Sequence, residues 1–86
     1  MEQPLTGKVA LITGGGSGVG FAVARLCAAE GMAVGLLGRT AERLAAAAET
    51  IAQAGGRALP LVADVRDWPA VQAAVERLVE QFGRLD

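Results

Sequence analysis

Between Lys8 and Leu26 the chain reads KVALITGGGSGVGFAVARL: an apolar run, five glycines within seven residues, then an apolar pattern of helical period. A loop this free of side chains, framed by two segments that each want burial, is compatible with few folds. It suits a turn that must bring its main chain against another group, since residues without a Cβ allow both sharp turning and close approach. Lys8 to Thr13 is nearly continuous in apolar residues and reads as a strand buried on both faces. From about Val19 to Glu30 the pattern is helical, and Gly31 is placed to end it.

The alternation then repeats. Met32 to Leu37 (MAVGLL) is a second apolar strand. Thr40 is placed to cap an alanine-rich helix that runs to about Ala54 and is ended by Gly55 and Gly56. Arg57 to Ala63 is a third strand, and Pro60, which has no N–H for a ladder, assigns it to a sheet edge. Asp67 is placed to cap a third helix with Pro69 in its first turn. Val71, Val75, Leu78, Val79 and Phe82 recur on one face of that helix. Gly83 ends it, and Arg84 to Asp86 reads as the start of a fourth strand. The expected fold class is α/β: a three-layer Rossmann-type parallel sheet, of which residues 1–86 supply the first βαβαβα half. The expected strand order is 3-2-1, and right-handed crossovers put both early helices on one face.

Composition removes several functions. The 86 residues carry a formal net charge of −1, with few aromatics, which argues against nucleic-acid and anionic-membrane surfaces. No apolar run approaches the roughly 20 residues that span a bilayer. The chain has no His, so it holds no Ser-His or Cys-His pair and no His-ligated metal. The single cysteine, Cys27, excludes an intrachain disulfide and is read as a packed helix residue. The N-terminus lacks a signal-peptide pattern, and a reducing, cytoplasmic location is expected.

The glycine loop falls after a strand and before a helix, where open α/β sheets bind ligands. A helix start offers free N–H groups and the positive end of a dipole, which suits a phosphate. Gly14 would turn the chain out of the strand, Gly18 would let the backbone approach a pyrophosphate, and Gly20 would let the helix pack closely. The spacing excludes a P-loop, because Phe21 and Ala22, rather than Lys and Ser/Thr, follow Gly20. It fits T-G-x-x-x-G-x-G, carried by Thr13, Gly14, Gly18 and Gly20.

With TGGGSGVG, ADV at Ala63 to Val65 and FGRLD leading into a fourth strand, the chain resembles the N-terminal, cofactor-binding part of the single-domain short-chain dehydrogenases/reductases. The resemblance covers about Leu5 to Asp86. It assigns Gly14, Gly16, Ser17, Gly18, Val19 and Gly20 to cofactor binding, Arg39 and Thr40 to the adenosine ribose, and Asp64 and Val65 to the adenine. At the end of the second strand Gly38 stands where an acid would hold the ribose hydroxyls of NAD. The next residue, Arg39, suits a 2′-phosphate, so NADP is expected and NAD is the lesser alternative. An exposed loop arginine is the competing reading of Arg39, and a turn aspartate that of Asp64.

The resemblance implies hydride transfer between nicotinamide and a carbonyl or alcohol carbon, by a Tyr, Lys, Ser and Asn set, in what are usually homo-oligomers. This chain has no Tyr, and its one lysine, Lys8, opens the first strand. No residue in it inherits a catalytic role, and the chain alone is expected to be inactive. It reads as the opening segment of a longer reductase, poorly folded or self-associating in isolation, with a substrate pocket for a small carbonyl or alcohol elsewhere. The alternative is a stand-alone nucleotide-binding or interaction module. S-adenosylmethionine methyltransferases share the strand–Gly-loop–helix opening, but Gly38 and Arg39 offer no acid for their ribose.

Overall fold

The computed structural model describes residues 6–16 and 18–86. Its elements run β1 (Val9–Thr13), α1 (Gly18–Ala29), β2 (Ala33–Gly38), α2 (Ala41–Gln53), β3 (Arg57–Val62) and α3 (Trp68–Phe82). The strands form one parallel sheet in the order β1-β2-β3, with β2 central. Val9 pairs with Ala33 and Thr13 with Leu37, while Ala33 pairs with Arg57 and Gly38 with Val62. All three strands therefore end near one line, where the loops that follow them gather. The sheet order and the three layers are those expected from the alternation.

β2 explains its own apolar run. Val34 and Leu36 point to one face, where they pack with Ala24 of α1 and Leu44, Ala47 and Ile51 of α2. Ala33 and Leu37 point to the other, where they join Val9, Leu61, Ala63 and, from α3, Ala74 and Leu78. Both faces are covered, so the period-2 alternation of a half-buried strand disappears. Gly35 makes room on the second face, where a Cβ would lie 2.8 Å from a Leu78 methyl.

β1 departs from expectation. Val9 is buried, but Ala10, Leu11 and Ile12 are half-buried and Thr13 is exposed. Among the described residues β1 has a strand partner on one side only, so the double burial anticipated for it is not reached. Pro60 lies on β3, the other edge, opposite Leu36, where its missing N–H costs no ladder bond on the outer side.

The caps also differ in quality. Asp67 accepts a hydrogen bond from the Ala70 amide at 3.3 Å, Pro69 lies in the first turn of α3, and Gly83 closes that helix with φ +86°. Thr40 occupies the N-cap position of α2 with extended backbone, but its side chain makes no capping bond. On α3 the expected apolar face is rotated slightly. Ala74 and Leu78 are its buried residues, Val71 and Phe82 flank them, and Val79 is 38% exposed.

Candidate functional site at the carboxyl ends of the strands

The glycine turn leaves β1 and is tied to the end of β2. The Leu37 carbonyl accepts from the amide of Gly14 at 2.8 Å and from that of Gly15 at 3.4 Å. Gly14 and Gly18 have φ of +67° and +61°, a region costly to residues with a Cβ, and neither has a neighbour where a Cβ would stand. Both are exposed, so the loop presents bare main chain to solvent. Gly20 is the opposite case. A Cβ there would fall on the Gly14 carbonyl and crowd that of Thr13, so α1 sits directly against the turn that precedes it.

Two other loop glycines serve packing. A Cβ on Gly15 would lie 2.9 Å from a Leu36 methyl, and one on Gly16 would lie 3.1 Å from Arg43 Cβ. The Cβ side of Gly16 is thus turned toward α2. Ser17 lies outside the described residues. Val19, in the first turn of α1, is 81% exposed. That turn carries no acidic residue to oppose the positive end of the helix dipole.

Beside the loop, Gly14, Leu37, Gly38, Arg39, Ala63, Asp64, Val65 and Arg66 enclose an open cleft of about 360 Å³. Its floor is set by main-chain bonds, for the Gly38 carbonyl accepts from the Ala63 amide at 2.8 Å. The cleft brings Gly14, Arg39, Asp64 and Val65 together, four of the residues picked out from the sequence. Thr40, exposed at the start of α2, is not in its lining.

Asp64 is the most engaged polar residue of the site. Its Oδ1 accepts from the Arg66 amide at 2.9 Å and from Arg66 Nε at 3.1 Å, and its Oδ2 accepts from Arg66 Nη2 at 2.8 Å. The Asp64 carbonyl accepts from the Asp67 amide at 2.9 Å, which closes the turn into α3. Arg39 Nη1 stands 3.7 Å from Oδ2, an ion pair without a hydrogen bond. Hydrogen bonds from the Arg66 guanidinium, then from the Arg66 amide, hold the Asp64 carboxyl well below the usual carboxylate range. The aspartate is therefore a turn residue, the competing reading given above, and it also lines the cleft.

Arg66 is the residue that sequence reasoning missed. The signal was the spacing Asp-x-Arg, which lets a side chain return to a carboxylate two positions earlier.

A cradle of bare glycine backbone, a helix N-terminus without acid, and a basic cleft beyond the central strand fit a dinucleotide phosphate. The pattern of the family described as short chain dehydrogenase matches residues 8–86. The chain belongs to that family, and its three parallel strands and their helices match the N-terminal half of the family's Rossmann fold. It is 45% identical over 83 residues to the peroxisomal 2,4-dienoyl-CoA reductase of Rattus norvegicus, covering 95% of this chain and 28% of that one. The structure of L-sorbose reductase from Gluconobacter frateurii, complexed with NADPH and L-sorbose, superposes with a TM-score of 0.92 at 39% identity, over 100% of this chain and 33% of that one. A 3-ketoacyl-ACP reductase from Sinorhizobium meliloti 1021 gives 0.88 at 51% identity, over 91% of this chain and 31% of that one. The chain thus spans about a third of the length of these relatives. No helix among the described residues is long and apolar enough to cross a membrane.

Proposed function

We propose that this chain is the NADP(H)-binding segment of a short-chain reductase that moves hydride between the nicotinamide and a small carbonyl or alcohol substrate. One observation carries the reading: the cleft beyond the sheet joins the Gly14 turn to Arg39 and Asp64, with Gly38 in place of a ribose-binding acid and a guanidinium on the residue after it. The L-sorbose reductase with which the chain superposes is complexed with NADPH.

In this reading each residue has a bounded task. The open backbone at Gly14 and Gly18 and the amides at the start of α1 receive the pyrophosphate. Arg39, with Thr40 beside it, faces the ribose 2′-phosphate. Asp64 accepts from the adenine amino group, and Val65 lies along the ring. When bound, the cofactor gives or takes the hydride. This chain holds it in place, and the groups that move the proton lie in the rest of a longer cytoplasmic protein.

The deciding experiment is Arg39→Asp in the full protein as its gene encodes it, with NADP and NAD affinities measured side by side. A charge-assisted contact is worth roughly 1.5–3 kcal/mol, so the preference shifts toward NAD by about one to two decades. An unchanged ratio sinks the assignment of NADP to Arg39.

A further inference from the structure

We propose that Arg66 is a positioning residue for cofactor choice: by occupying both carboxylate oxygens of Asp64, it leaves the Arg39 guanidinium available to a 2′-phosphate. The inference rests on the NADP reading above and goes beyond it, because Arg66 need not touch the cofactor.

The geometry is a competition for one carboxylate. Arg66 makes a two-pronged pair with Asp64, through Nε to Oδ1 at 3.1 Å and Nη2 to Oδ2 at 2.8 Å, reinforced by its own amide at 2.9 Å. Arg39 approaches the same Oδ2 and stops at 3.7 Å. The fork of a guanidinium matches a carboxylate in this arrangement, so the first arginine saturates the strongest sites and the second is held only by charge. Arg39 keeps 69% of its side chain exposed at the mouth of the cleft.

Charge gives the same answer. A bare Asp64 beside the cleft would repel a 2′-phosphate and would draw Arg39 into the pair that Arg66 now makes. With Arg66 in place, two guanidiniums stand against one carboxylate, and the cleft presents net positive charge to an incoming dianion. Arg66 and Asp64 are two residues apart on one turn, so the device needs no distant element to hold it.

The test is a cycle in the full protein as its gene encodes it: the unaltered chain, Arg66→Leu, Asp64→Asn, and the double variant, each titrated with NADP and with NAD. A merely structural role for Arg66 would weaken both cofactors alike and leave their ratio unmoved. The proposal expects Arg66→Leu to lower the preference for NADP by about tenfold, the size of coupling found between charged neighbours. It also expects the double variant to recover the preference to within about threefold of the unaltered protein, because a neutral side-chain amide no longer captures Arg39. Asp64→Asn weakens adenine binding for both cofactors and, by removing the charge that faces Arg39, leaves the preference for NADP at or above that of the unaltered protein. An unchanged ratio in Arg66→Leu, or a fall that the double variant does not relieve, overturns the proposal and leaves the cofactor reading standing. An unaltered protein that binds neither dinucleotide, or prefers NAD, overturns the cofactor reading and the proposal with it.

Discussion

Asp86 takes both main-chain groups of Val9: its carboxylate accepts from the Val9 amide at 2.9 Å, and its own amide donates to the Val9 carbonyl at 2.8 Å. The contact lies on the edge of β1 away from β2, and one of its two bonds goes to a side chain, so it is not a strand pairing. Arg84 holds the carboxylate from its other side, with Nε 2.7 Å from Oδ2. Arg84 to Asp86, expected to start a fourth strand, form no strand, and their tie to β1 is this contact with Val9.

The Asp86 carboxyl is held below its usual range, first by the Arg84 guanidinium and then by the Val9 amide. Lowering the folded-state value means that this contribution to stability is present above the unfolded value of about 3.9 and is lost as pH falls through the folded one. Asp86→Asn is therefore expected to lower the urea midpoint at pH 7 and to have a smaller effect in acid, as the carboxyl takes up its proton in the folded state. An equal loss at pH 7 and in acid would show that charge has no part in the contact.

Gly20→Ala is expected to destabilise the protein by roughly 1–3 kcal/mol, because the added methyl falls on the Gly14 carbonyl and neither backbone can yield cheaply. Dinucleotide affinity should fall with it, since the turn would be pushed out of shape. Chemical denaturation beside a cofactor titration checks both. Full stability in the variant would mean that α1 does not sit where the structure has it.

Leu78 is fully buried against Gly35 and Leu61. Leu78→Ala should cost about 2–5 kcal/mol, the range for a buried leucine whose site cannot collapse. Denaturant unfolding measures it, and a cost under about 1 kcal/mol would contradict the packing of α3 on the sheet.

The two helix caps offer a matched comparison. Asp67→Ala should cost about 1 kcal/mol, since it removes the acceptor for the Ala70 amide. Thr40→Ala should cost less than about 0.5 kcal/mol, because that hydroxyl caps nothing. Thermal melts of the two variants in parallel check the order.

Much of this architecture was legible in the residues. The apolar runs, the glycines that end helices and the Pro60 edge signal each report a local rule, and local rules survive into the fold. What stayed hidden depended on placement across the chain. The half-burial of Ala10, Leu11 and Ile12 follows from the neighbours β1 has, not from its composition. The roles of Gly15 and Gly16 follow from Leu36 and Arg43, which lie far along the chain from the loop. In the site, Gly14, Arg39 and Asp64 were visible because loop spacing and strand ends mark them. Arg66 was not, because its part depends on where its guanidinium returns.

The central strand carries a consequence of its own. Val34 and Leu36 serve one cluster, and Ala33 and Leu37 the other, by strict alternation. Substitutions in α3 and in α1 or α2 are felt on one side of this wall, so the two faces tolerate change separately. Insertions and deletions meet a different fate. A single residue added within β2 would hand every later side chain to the opposite face and carry the Leu37 carbonyl away from the Gly14 turn. Length in this strand is therefore constrained more tightly than the choice of its side chains.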